Sequence, residues 1–63
     1  MINAINKSIE EFADLVEDLT TSDLQGIVDV RAAEITKTKL YSEQANAVAE
    51  LILSGIYDKA GDL

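Results

Sequence analysis

The stretch that most constrains the fold is residues 42–57, the most apolar part of the chain. On a helical wheel at about 100° per residue, one strip roughly 80° wide holds Glu43, Asn46, Glu50, Ser54 and Tyr57. Most of the remaining circumference is apolar, and it carries Ala45, Ala47, Val48, Ala49, Leu51, Ile52, Leu53 and Ile56. A helix that is apolar over so much of its surface is typically buried, so the rest of the chain is expected to cover it.

The length of 63 residues corresponds to one small domain, spanning residues 1–63. A domain of this size buries only about 60% of the surface that its unfolded chain exposes. Its core rarely contributes more than about 3–5 kcal/mol of net stability. The chain has no Cys and no His, which excludes disulfides and the usual zinc ligand sets. Helix packing and association with another chain are therefore expected to stabilise it.

Apolar spacing predicts a first helix over about residues 3–19. Isoleucine, phenylalanine, valine and leucine recur every three or four positions, at Ile2, Ile5, Ile9, Phe12, Val16 and Leu19. Two starts are open. Asn3 can cap the helix, or Ser8 and Glu11 can form a capping box, in which case residues 1–7 are an arm.

The second helix is predicted over about residues 22–39, from a capping box formed by Ser22 and Gln25 to lysines in the last turn. Gly26 costs about 1 kcal/mol relative to alanine inside a helix. Residues 27–30 and 35–40 are rich in β-branched side chains, which leaves short strands as an alternative. Helix is favoured because no hairpin turn separates these two segments.

The third helix is predicted over about residues 42–57, capped by Ser42, with a frayed tail at 58–63. Absence of proline and only three glycines argue against a β-rich domain. The predicted fold is therefore an all-α, three-helix antiparallel bundle that is completed by homodimerisation. A monomer is expected to expose Ala47, Leu51 or Leu53 as an interaction patch. The predicted oligomer interface contains Arg31, Val48, Leu51, Ile52, Leu53 and Ile56.

Arg31 is the most informative single residue, because it lies within the apolar face of the second helix. In the favoured interpretation its stem covers apolar surface while its guanidinium reaches Glu34 or an acidic residue of the first helix. In the other interpretation it is an interface anchor, since arginine is enriched at binding hot spots.

Catalysis and metal binding are poorly supported. The chain lacks the commonest general base and the best nucleophile, so we expect no catalytic residues and no cofactor. Carboxylates on one exposed helix diverge, and no calcium-binding loop motif is present, so no metal site is expected. The first residues lack the pattern of a secretory signal, and no apolar run of about 18 residues could span a membrane. The expected location is cytoplasmic.

The formal net charge of −7 predicts the sign of the partner. Such a field repels phosphate backbones and anionic lipids and favours encounters with basic surfaces. The predicted acidic face of the first helix carries Glu10, Glu11, Asp14, Glu17 and Asp18. This face is either merely solvated or imitates spaced phosphates in the basic groove of a partner.

Three functional hypotheses follow from charge and helical architecture. The first is an acidic protein-interaction module that binds and modulates or inhibits a larger basic or nucleic-acid-binding protein, as small regulators of phages or mobile elements do. The alternative is a self-assembling structural subunit. A helix-turn-helix-like DNA-binding regulator using Arg31, Lys37 and Lys39 is a second alternative, which the charge disfavours.

Overall fold

A computed structural model describes residues 1–61 of the chain. It contains helix α1 (Ile2–Ala13), a short 3₁₀ turn (Val16–Asp18), helix α2 (Thr21–Thr36) and helix α3 (Glu43–Ala60). No strand occurs within this range. The predicted all-α fold with three packed helices is confirmed, and the strand alternative for α2 is wrong.

Helix α3 is the centre of the packing. It contacts both α1 and α2 extensively, whereas α1 and α2 contact each other much less. One core joins the three helices, and its apolar members are Ile5, Phe12, Leu24, Val28, Ala32, Ala45, Val48, Ala49, Ile52 and Ile56. The molecule is flat, with principal extents of 29 × 23 × 14 Å. Neither α3 nor any other helix within residues 1–61 has the length and apolarity that crossing a bilayer requires.

Helix α1 is shorter than predicted, because it ends at Ala13 rather than near Leu19. Val16 and Leu19 still pack against the core. The apolar spacing therefore predicted their core contacts correctly, but it wrongly predicted that they are in a helix. The last turn of α1 contains no basic residue, and the carboxylates that follow would meet the negative end of the helix dipole.

Neither predicted start of α1 is correct. Residues 2–7 are helical rather than an arm, and the N-cap is Met1 rather than Asn3. The predicted capping box at Ser8 is wrong, because this side chain is buried in the interior of α1. Its hydroxyl donates to the carbonyl of Ala4 at 2.8 Å, a local bond that serine makes within helices.

Helix α2 begins one residue before the predicted boundary, at Thr21, and ends three residues before it, at Thr36. Its N-cap is Thr20 instead of the predicted Ser22: the Thr20 hydroxyl accepts a hydrogen bond from the backbone N–H of Asp23 at 3.1 Å. Lys37 is the C-cap and has left-handed backbone angles (φ 56°, ψ 40°). Lys37 and Lys39 therefore lie beyond the helix, not in its last turn.

Helix α3 begins as predicted, with the Ser42 hydroxyl accepting from the N–H of Ala45 at 3.2 Å. It continues to Ala60, so fraying from residue 58 is wrong for residues 58–60, and residues 62–63 lie outside the described range. Ala47 and Leu51 face solvent, so α3 is buried along one side rather than around its circumference.

A chain of hydroxyl groups joins the end of α2 to the start of α3. Ser42 Oγ donates to Thr38 Oγ1 at 2.8 Å, and Thr38 Oγ1 lies 2.7 Å from Thr36 Oγ1. Thr36 Oγ1 donates in turn to the carbonyl of Ala32 at 2.8 Å. Each hydroxyl can thus donate one bond and accept another, which fixes the corner between the two helices.

Candidate functional site

Arg31 links α1 to α2 at a place where these helices otherwise make few contacts. Its Nη1 donates to Ser8 Oγ and to Glu11 Oε2, both at 3.2 Å, and its Nε lies 3.7 Å from Glu34 Oε1. Its Cζ also lies 4.9 Å from the centre of the Phe12 ring, within range of a cation–π interaction. The prediction that Arg31 reaches Glu34 or an acidic residue of the first helix is confirmed.

Replacing Arg31 with methionine is expected to lower the free energy of unfolding by about 1–2 kcal/mol. The substitution keeps most of the apolar stem but removes the cation–π contact and the partly exposed ion pairs, which are individually weak. Urea denaturation followed by circular dichroism measures the loss. Lys7→Met is the matched control, since Lys7 is exposed on α1 and has no ion pair within residues 1–61. Equal losses in the two variants would contradict the role given to Arg31.

An open groove of about 590 Å³ runs along α2 beside Arg31, and we call it the α2 groove. Helix α2 supplies most of its lining, while α1 and the α2–α3 connection supply one residue each. The lining consists of Phe12, Ser22, Asp23, Gly26, Ile27, Val30, Arg31, Glu34 and Tyr41. Val30 is 51% exposed and Tyr41 is 67% exposed, so the groove presents apolar surface to solvent.

Two backbone features of the α2 groove are unusual. Gly26 lies inside α2, yet a Cβ built there would have no atom of residues 1–61 within 4 Å, so packing within the chain does not require glycine. Tyr41 has a positive φ of 64°. A left-handed backbone is unfavourable for a bulky side chain by roughly 1–2 kcal/mol. Both features coincide at one groove.

The predicted acidic residues Glu10, Glu11, Asp14, Glu17 and Asp18 are all exposed. They do not share one continuous helix face, because α1 ends between them and Glu17 and Asp18 lie in the 3₁₀ turn. Glu11 is paired with Arg31, whereas the other four have no ion pair within residues 1–61. In the same range, no group of acidic side chains is arranged to hold a metal ion.

The predicted oligomer interface is distributed over different environments. Val48, Ile52 and Ile56 lie in the core of the single chain, so they have almost no surface to offer a second copy. Leu53 is half-buried and Arg31 belongs to the α1–α2 link. Leu51, at 58% exposure, is the member that α3 leaves on the surface. A single exposed leucine is ordinary for a monomer, and dimerisation stays a prediction.

Arg31 is the one residue of the groove lining that was predicted as a site residue, and Gly26, Val30 and Tyr41 are among those that were missed. Gly26 weakens the helix, but a residue without a side chain also lets another group approach the backbone closely. Val30 lies outside the face of α2 that packs into the core. An apolar residue in that position could have indicated exposed apolar surface. No protein-family model, curated protein or solved structure matches this chain.

Proposed function

We propose that this chain is a small acidic protein-interaction module that binds a larger protein with a basic surface and modulates or inhibits it. The observation that carries the proposal is the excess of exposed, unpaired carboxylates. Arg31 is already engaged by Glu11 and Glu34, which leaves Glu10, Asp14, Glu17 and Asp18 without a cation of the described chain.

Unpaired surface carboxylates favour a basic partner for two reasons. At a net charge of −7 the field of the chain accelerates encounters with a positively charged surface and opposes encounters with nucleic acid. An interface also needs apolar contacts, since charges at its rim contribute mainly to the association rate. Leu15 is exposed among the acidic residues, and the α2 groove adds further apolar surface.

The test uses the tagged chain as bait in a lysate of the organism that encodes it, at low and at high salt. Captured proteins are identified by mass spectrometry and their affinities are then measured with purified components. We expect a stoichiometric basic partner whose binding weakens at least tenfold at high salt, because salt screens exposed charges. The triple variant Glu10→Gln, Asp14→Asn, Glu17→Gln should lose most of the association rate.

A matched variant, Glu43→Gln, Glu50→Gln, Asp58→Asn, removes the same charge from exposed positions of α3. Equal losses in both triple variants would mean that overall charge matters rather than the acidic segment. If neither variant changes binding, electrostatic recognition is wrong. Recovery of the chain alone, unaffected by salt, would favour the self-assembling alternative instead.

A further inference from the structure

We propose that the α2 groove binds an amphipathic helix of the basic partner protein. Apolar side chains of that helix would pack on Ile27 and Val30, while its cationic side chains would meet Asp23 and Glu34. This inference rests on the proposed function, and it adds the surface and the kind of segment that is recognised.

The order of residues along α2 defines the pattern of the occupant. Asp23, Ile27, Val30 and Glu34 all line the groove, at spacings of four, three and four residues. Positions spaced in this way form one ridge along a helix, about 16 Å long at 1.5 Å per residue. The ridge has an acidic residue at each end and two apolar residues between them. A helix with the complementary order, basic, apolar, apolar and basic, matches it position by position.

Gly26 leaves the backbone of α2 uncovered by a side chain within the groove. Glycine inside α2 is less favourable than alanine by about 1 kcal/mol, and nothing within residues 1–61 needs the space that it leaves. A missing side chain lets the surface of another helix approach the backbone closely. Gly55, in contrast, is explained within the chain, because a Cβ there would clash with Ile9.

Tyr41 provides the aromatic contact. Its backbone is left-handed, and the residue lines the groove while remaining 67% exposed. The core of the chain therefore does not explain this conformation. Backbone strain of this kind is found at binding sites more often than elsewhere. Tyrosine is also enriched among the residues that dominate binding energy at interfaces. Phe12 lies beneath Arg31 and closes the apolar lining.

Charge complementarity selects a basic helix over a second copy of this chain. Arg31 is the one cationic side chain of the groove lining within residues 1–61, and it is already paired with Glu11 and Glu34. Asp23 has no ion pair in the same range. Glu34 meets Arg31 through Oε1 at 3.7 Å, and its side chain is 67% exposed, so a cationic side chain of the partner can still reach it. A second copy would bring a further net charge of −7 to an acidic surface, which like-charge repulsion opposes.

Two synthetic helical peptides test the inference with the complete chain. Each is about 16 residues long and rich in alanine, which favours helix formation. The first carries lysine at positions i and i+11 and leucine at i+4 and i+7, while the second has glutamate in place of lysine. Chemical-shift changes in an NMR titration locate the site. We expect the lysine peptide to shift the amides of Gly26, Val30 and Tyr41, and the glutamate peptide to bind at least tenfold more weakly.

Three variants separate loss of the groove from loss of the fold. Gly26→Leu fills the groove while improving helix propensity, so it should abolish peptide binding without lowering the unfolding midpoint. Val30→Asp should weaken binding at least tenfold. Leu51→Asp is the matched control, because it places the same charge on a similarly exposed apolar position of α3, and it should bind as the wild type does.

Several results would overturn the inference: no binding of the lysine peptide, equal binding of both peptides, or shifts centred on Leu51. A dimer that Val30→Asp dissociates in sedimentation experiments would make a second copy the occupant. The proposed function and the groove assignment can be tested independently of each other. If the partner captured from lysate binds Gly26→Leu as well as wild type but not the acidic triple variant, the module function stands and the groove assignment is wrong.

Discussion

Replacing Ile52 with alanine is expected to lower the free energy of unfolding by about 2–5 kcal/mol, the range for truncating a buried isoleucine. Ile52 is fully buried near the middle of α3, the helix that contacts both of the others. A small domain has about 3–5 kcal/mol in total, so this single change should remove most or all of it. Thermal unfolding followed by circular dichroism should show a much lower midpoint or no cooperative transition.

Leu51→Ala is the matched control, since it truncates the neighbouring residue on the solvent side of α3. Surface substitutions of this kind usually change stability by less than about 0.5 kcal/mol. A loss as large as that of Ile52→Ala would show that a second chain covers this side of α3. Ile52→Asp is unsuitable for testing dimerisation, because it would unfold the single chain first.

Alanine substitutions at Gly26 and Gly55 are expected to change stability in opposite directions. Both glycines lie inside helices, so each substitution gains about 1 kcal/mol from helix propensity. At Gly26 there is open space, and the gain is kept. At Gly55 the new Cβ would clash with Cδ1 of Ile9 and lie 2.8 Å from its Cγ1, and overpacking costs about 1–3 kcal/mol. Because the gain in helix propensity is common to both variants, the difference between their changes in unfolding free energy measures the cost of overpacking at Gly55.

A double-mutant cycle tests whether the cost of overpacking at Gly55 comes from contact with Ile9. Ile9→Val shortens the side chain that Gly55 accommodates, so adding it to Gly55→Ala should restore part of the lost stability. Urea denaturation of the four proteins gives the coupling free energy. Additive effects would contradict close α1–α3 packing at Gly55, and a destabilised Gly26→Ala would contradict the open groove.

The sequence predicts two kinds of feature in this fold: those that depend on apolar periodicity and those that depend on an isolated helix cap. Ser42 precedes a long apolar helix, and no competing cap lies nearby, so the start of α3 was found. Near residue 20 two caps compete: Thr20 and Asp23 satisfy the same spacing rule as Ser22 and Gln25. The end of α1 was missed because Val16 and Leu19 keep their core contacts after the helix has ended.

Less of the candidate site was accessible from sequence. The ion pairs of Arg31 were predictable, because a cation on an apolar helix face must find carboxylates. The groove was not, since its lining combines one face of α2 with Phe12 of α1 and Tyr41 of the α2–α3 connection, and periodicity does not specify how these come together. The positive φ of Tyr41 lies in the turn just before α3, and tyrosine is not a residue type that predicts such a conformation.

The chain of hydroxyl groups between α2 and α3 bears on how tightly the groove can hold a ligand. Thr38 and Ser42 flank Tyr41 and are fixed by bonds of 2.7–2.8 Å, and the carbonyl of Tyr41 accepts from Asn46 Nδ2 at 3.3 Å. These hydrogen bonds restrain the α2–α3 connection within the single chain. In the proposed complex with an amphipathic helix, this corner would lose little conformational entropy on binding, so its contribution to affinity would come from preorganisation.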